Sequence, residues 1–217
     1  MIVHWDLVQG SEAWHRMKWG KIGGSSSKGL FVLSDTLLYQ LLAESTEEFE
    51  MSEDDYISGD MQRGIELEPM HRTEIEKYTG YKFLVPGWLQ SESVPLLGIS
   101  VDGITEDLTV SWEGKAPSNK KHIATVYNKE IPTDNIHQCL HYFTVNSKLE
   151  KHYFSTFRPE NSHPLWVKCI TRDSLIDLGT KSKPVVKKVS EWVEIAKFNA
   201  KELTDNLTLG LTKLDNI

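Results

Sequence analysis

Asp102, Glu113 and Lys115 are the residues whose types and spacing could do chemistry. They fall within GISVDGITEDLTVSWEGKAP (98–117), which otherwise alternates apolar and polar residues like two half-buried strands. Residues two apart in a strand share a face, so Glu113 and Lys115 project together while Gly114 turns away. If strands near 95–101 and 108–114 pair as a hairpin across the acidic turn, Asp102 reaches the end where Glu113 lies. Two carboxylates within a few Å remain ionised only with a cation between them. Oxygen ligands suit a hard divalent ion, Mg²⁺ with Mn²⁺ as a possible substitute, which keeps waters that can be activated. A lysine beside that ion suits phosphate chemistry, stabilising charge at phosphorus or orienting the attacking water. Taken alone, the D-x10-E-x-K pattern is loose, and ordinary strand residues around an Asp-Gly turn also produce it.

The elements that must position these residues are legible in outline. LSDTLLYQLLAEST offers Ser34 as N-cap, Asp35 in the first turn and Leu37, Leu38, Leu41 and Leu42 on one stripe, which predicts a helix. GDMQRGIELEPMHRTEIEKYTG is helical in pattern, closes at Gly80 as its C′ residue, and must kink or restart at Pro69. Strands are expected near 82–85, 95–101 and 108–114. A helix follows in TDNIHQCLHYFTVNSK, capped by Thr133 or Asp134, with Ile136, Leu140 and Phe143 or Thr144 buried. KHYFSTFR and PLWVKCIT alternate as strands, and the chain beyond about Arg172 reads as amphipathic helix broken at Pro184. The expected fold class is α/β: a central mixed sheet flanked by helices, with an N-terminal helical part.

The chain has 217 residues with 39% hydrophobic residues and seven tryptophans, enough for an ordinary core. No repeat or long linker divides it, so one domain is expected: an N-terminal helical part (1–58), a core (59–170) and C-terminal helices (171–217). Twenty-four basic against thirty-one acidic residues give a net charge of −7, which argues against broad coating of nucleic acid but leaves room for a local basic channel. Acid gathers at 43–55, read as a solvated helix end and loop, and base gathers in KAPSNKKH and KSKPVVKK. The two cysteines form no Cys-x-x-Cys pair, so a zinc or iron–sulfur site is not expected and a reducing compartment is. His137 and His141 alone show i, i+4 spacing, and burial of one helix face argues against a zinc pair there. Neither a charged leader followed by an apolar run nor a membrane-spanning stretch is present, so no membrane role is expected.

Four segments change the weight of the central triplet. They are QGSEAWHRMKWGKIGGSS, RGIELEPMHRTEIEKYTG, GISVDG with WEGKAP, and IHQCLHYF. In combination, order and spacing they resemble the lambda exonuclease and YqaJ-like viral recombinase family, a branch of the PD-(D/E)XK nuclease superfamily, over roughly residues 9–154. The chain departs from the family's usual pattern at Val101, where proline is common, at Gly114, where an apolar residue is common, and at Ala116, where cysteine is frequent. The resemblance implies that Asp102 and Glu113 bind catalytic Mg²⁺ with the Gly114 carbonyl and Glu68. It implies that Lys115 positions or polarises the attacking water and that Gln138 orients Lys115 or that water. It also implies a pocket for a 5′-phosphate from Lys18, Ser25 and Ser100, with Lys18 in place of the arginine often found there. IGGSSS leaves the register of that serine open by one residue.

The expected activity is Mg²⁺-dependent 5′-to-3′ exonuclease action on linear double-stranded DNA ends, leaving 3′ single-stranded tails for phage-type recombination. A single-strand annealing protein as partner, a trimeric ring and the cytoplasm of a bacterial or phage-infected cell come with the resemblance. Another PD-(D/E)XK endonuclease or RecB-type nuclease, or a catalytically silent DNA-end-binding protein, are the competing readings; retention of Asp102, Glu113 and Lys115 disfavours the last.

Overall fold

The computed structural model describes residues 1–32, 34–51 and 59–216, and side chains from 62 onward in the last segment. In chain order the elements are β1 (Ile2–His4), α1 (Glu12–Lys18), α2 (Lys28–Phe31), α3 (Asp35–Thr46) and α4 (Gly59–Thr79). Next come β2 (Trp88–Gln90), β3 (Gly98–Ile99), β4 (Gly103–Ile104), β5 (Val110–Lys115), α5 (Asn119–Asn128) and α6 (Thr133–Val145). The chain ends with β6 (Lys151–Phe157), β7 (Leu165–Thr171), β8 (Leu175–Asp177), β9 (Val186–Lys188) and α7 (Val189–Leu214). Part of the acidic run, 52–55, lies outside the described residues.

A four-stranded mixed sheet, ordered β4-β5-β6-β7, forms the centre, with β5 and β6 parallel and the other pairs antiparallel. A three-stranded antiparallel sheet, β1-β2-β3, stands beside it, and residues 100–102 carry the chain from one sheet to the other. The mixed α/β class is as expected. The pairing is not: β3 joins β2, and the hairpin partner of β5 is β4, whose two residues follow Asp102. Asp102 therefore stands at a seam between sheets instead of at the end of a paired strand. At 82–85 a single bridge from Leu84 to Ile104 replaces the expected strand.

Alternation fixes which side of β5 faces what. Val110 and Trp112 pack with Ile75 and Phe83 under α4, whereas Phe154, Leu140, Phe143 and Tyr142 belong to the larger core on the other side. In α6, Ile136, Leu140, Phe143 and Thr144 are all buried, the amphipathic spacing that holds this helix against the sheet. Its N-cap is Pro132, one residue before the two candidates; Pro132 has the extended φ and ψ that start a helix without donating an N–H. Ser34 does cap α3, its hydroxyl accepting the Thr36 N–H at 3.2 Å. Gly80 closes α4 with φ of +76°. Pro69 neither stops nor restarts α4, which is one helix through that point.

The C-terminal region departs from the all-helical expectation for 171–217. Residues 175–177 and 186–188 pair as an antiparallel ribbon, β8-β9, around the 178–185 turn, and helix begins only at Val189. Short alternating runs on either side of Pro184 pair locally, which helical periodicity obscured. α7 then buries Trp192, Val193, Ala196, Ala200 and Leu203 in the main core. The N-terminal part likewise contributes a strand, β1, to a sheet.

Candidate active site

Glu113 lies on the α6 face of β5 and is 2% exposed. Such a buried carboxylate must be bonded or neutralised. Three side chains meet it: the Lys115 ammonium and the Gln138 amide (2.7 Å) both donate to Oε1, and the Tyr142 hydroxyl donates to Oε2. Tyr142 also reaches the Ser100 carbonyl at 3.4 Å. Gln138 and Tyr142 are one helical turn apart on α6, so a single face of that helix supplies both.

Asp102 approaches from the seam. Its Oδ2 accepts the Gly114 N–H at 2.8 Å, which places it at the same strand end as Glu113. Burial, then the charge of Glu113, push its carboxyl up to about 8, with Glu68 adding to the rise. Burial alone would lower Lys115, but the carboxylates of Glu113 and Asp102 hold its ammonium above the ordinary value. Two carboxyl groups thus converge on a place where positive charge is favoured.

Gly114 has a steric reason. Its Cβ, if present, would lie 2.5 Å from the Trp112 ring and 2.7 Å from His71 Nδ1. His71, from α4, stacks on Phe157 and bonds Ser155 Oγ at 2.7 Å, so its ring occupies the space of a side chain at 114. Glu68, three residues earlier on α4, is held by Arg72 one turn on. Its charge reaches Asp102, but it joins none of the hydrogen bonds around Glu113.

The entrance segment holds this corner in place. Gln9 donates to the carbonyls of Val101 and Pro86, both at 3.0 Å, fixing the backbone beside Asp102. Trp14 donates to Ser100 Oγ at 2.8 Å and to the Gly87 carbonyl at 3.1 Å. The structure brings Lys18 and Ser25 to one cavity of about 290 Å³, with His15, Lys21, Glu44 and Glu50 on its wall. Ser100 is not on that wall; it touches Trp14, over whose ring Lys18 Nζ lies at 3.7 Å. Among the three serines, Ser26 accepts the Gly23 N–H and Ser27 donates to the Gly24 carbonyl within the loop, while Ser25 is exposed. Ser25 and Ser26 both line the cavity, and Ser25 is the one whose hydroxyl makes no hydrogen bond within the loop. A Cβ at Gly24 would come 3.0 Å from Gln138, so the same loop abuts the Glu113 network.

Gln9, Tyr142 and His71 carry contacts that the central motif did not reveal, and Lys21 lines the cavity. All four sit inside the quoted family-like segments, but only the fold shows what surrounds them. His137 and His141 do not converge: His141 is buried and bonds the Ile22 and Gly98 carbonyls, and His137 contacts Phe31. Among the described residues, no group of three or more His, Cys, Asp or Glu is placed to hold a metal by itself. The donors that do converge, two carboxylates and the backbone at 114, are hard oxygen ligands that would leave coordination places to water.

The arrangement of sheets and helices is shared with solved structures of exonucleases. It is similar to an alkaline exonuclease, LHK-Exo, from Laribacter hongkongensis, with a TM-score of 0.76 at 19% identity over 95% of this chain and 97% of that one. The same protein in complex with dAMP gives 0.74 at 20% identity, with equal coverage. A phage-related exonuclease from Haemophilus somnus 129PT gives 0.50 at 10%, covering 93% and 94%. The description of the YqaJ-like viral recombinase domain fits residues 13–149, and the chain belongs to that family. No curated protein matches it. Among the described residues no helix is long and apolar enough to cross a membrane.

Proposed function

We propose that this protein is a Mg²⁺-dependent exonuclease that enters linear double-stranded DNA at an end, degrades the strand bearing the 5′-phosphate, and leaves a 3′ single-stranded tail. The observation that supports this best is the convergence of Asp102, Glu113, Lys115 and Gln138 at one strand end, with the Lys18–Ser25 cavity behind the same loop. Asp102, Glu113 and the Gly114 carbonyl would hold the ion, with Glu68 reaching it directly or through water; Mn²⁺ has the same ligand preference. When bound, the ion supplies Lewis acidity at the scissile phosphate and a more acidic water.

The chain's own residues do the rest. Burial and the charge of Glu113 keep Asp102 protonated, and a cation between the two carboxyl groups would let Asp102 give up its proton. Lys115, joined to Glu113, is held where its ammonium can stabilise charge on the phosphate oxygens or orient the attacking water. Gln138 fixes Glu113 and with it Lys115. Lys18, Ser25 and Ser100 line the route by which a terminal phosphate is held, Lys18 as a point charge and the serines as hydrogen-bond donors. A homo-oligomeric ring, a trimer in the family-based expectation, would place basic residues in a bore while the acidic outside keeps the particle soluble. A single-strand annealing protein in the same cytoplasm is the partner that such a tail calls for.

The test uses linear and closed-circular duplex DNA with and without Mg²⁺, for the wild type and Lys115→Ala. Digestion confined to linear DNA, dependent on the metal and reduced about 10²- to 10⁴-fold in the variant, is expected. Cutting of circles, metal-independent activity or full activity in the variant contradicts it, and no cleavage by the wild type favours an end-binding protein.

A further inference from the structure

Lys21 is a cation that the proposed reading does not use. It follows Gly20, whose φ of +67° bends the chain after α1, and its N–H closes a turn onto the Lys18 carbonyl at 3.0 Å. Lys18 and Lys21 thus leave one tight turn and line the same cavity, together with Ser25. The Lys21 side chain is half-buried, and among the described residues it has no hydrogen-bond or ion-pair partner. Two carboxylates, Glu44 and Glu50, share the wall, yet neither pairs with it; Glu44 is taken up by the Gln40 amide at 2.8 Å and the Gly20 N–H at 2.9 Å. Burial lowers the Lys21 ammonium below its ordinary value. A half-buried charge without a counter-charge is unfavourable until an anion fills the space beside it.

The number of charges then matters. A phosphomonoester carries about two charges near neutral pH, a phosphodiester one. Lys18 supplies a compact point charge, without the fork of an arginine. We propose that Lys21 is the second cation of this cavity and sets its preference for a terminal phosphomonoester, with two charges, over a singly charged phosphodiester. This rests on the end-recognition reading above and adds to it the residue and charge state that determine selectivity.

The probes are duplexes closed by a hairpin at one end and carrying 5′-phosphate, 5′-methylphosphate or 5′-hydroxyl at the other. Binding is followed by fluorescence anisotropy in EDTA, and digestion rates are measured with Mg²⁺. The wild type is expected to favour phosphate over methylphosphate and methylphosphate over hydroxyl. In Lys21→Met the first preference collapses by roughly tenfold, the scale of a charge-assisted hydrogen bond, while Lys21→Arg retains it. Lys21→Gln replaces the methionine variant if that one does not fold. A neutral variant that keeps the wild-type preference for phosphate over methylphosphate overturns the assignment of Lys21. A wild type that treats phosphate and hydroxyl ends alike overturns the end-recognition reading, and this inference with it.

Discussion

At the end of β5, the Glu113 carboxylate is bonded by Lys115, Gln138 and Tyr142 before any substrate arrives, whereas beside α1 Lys21 and Ser25 face a cavity with no protein partner among the described residues. One region is a preorganised carboxylate on a strand, held by donors from that strand and a helix; the other is a set of donors on a turn and a loop. On the proposed function, the difference follows from what each region would bind. A centre that attracts a cation can be prepared in advance, because its carboxylates repel one another and protein donors hold them meanwhile. A centre that would attract a phosphate leaves the half-buried Lys21 without a counter-charge until the anion arrives.

Acid should break this contrast most visibly, because the carboxylate corner is backed by buried histidines. Burial lowers His71 and His152 to about 3 and His141 to about 4. They stay neutral in the fold, while the unfolded chain takes up protons near pH ~6.5. Their stabilisation is therefore full above that value and is lost as the pH falls towards their folded values. Asp102, raised to about 8, acts with the opposite sign and gains stability as the pH drops from 8. Three groups outweigh one, each bounded by about 1.4 kcal/mol per pH unit, so the net loss below pH ~6.5 is at most about 3 kcal/mol per unit. Melting in metal-free buffer should show a maximum near pH ~6.5; a midpoint that climbs steadily down to about pH 5 contradicts this.

Tyr142→Phe should be next in size. It removes a buried hydrogen bond to a charged carboxylate, worth about 1.5–3 kcal/mol, and should slow digestion by roughly 10- to 100-fold on phosphorylated and hydroxyl ends alike. Lys18→Ala should separate the two ends, with roughly a tenfold loss on 5′-phosphate ends and a smaller one on 5′-hydroxyl ends. Initial rates on both substrates check the pair; equal losses on the two ends in Lys18→Ala would remove the distinction between the regions. Gly114→Ala should act on stability instead of on the choice of end. The added methyl must displace Trp112 or His71 and should lower stability by about 1–3 kcal/mol, read as a drop in melting temperature.

The carboxylate corner was more legible in the sequence than the cavity. Glu113 and Lys115 are two apart on a six-residue strand, and Gln138 lies on a helix with clear apolar spacing, so local periodicity already set their directions. Asp102 was harder. Its position depends on the chain leaving the β1-β2-β3 sheet and re-entering the other within five residues, a long-range matter that alternation does not encode. The same blindness explains β8-β9: three-residue strands around Pro184 gain their pairing from each other and from α7, not from propensity. Lys21 was invisible for a different reason. A lysine near another lysine is ordinary, and only the turn at Gly20 and the cavity wall show that it lacks a partner.

The polarity of digestion tests the joined action of the two regions most directly. A linear duplex phosphorylated at both 5′ ends, labelled on one strand either at its 5′ or at its 3′ terminus, is followed over time with Mg²⁺ present. The 5′ label is expected to leave first in small products while the 3′ label persists on a long single strand. Early release of the 3′ label, or internal fragments that keep both labels on long duplex pieces, would contradict it.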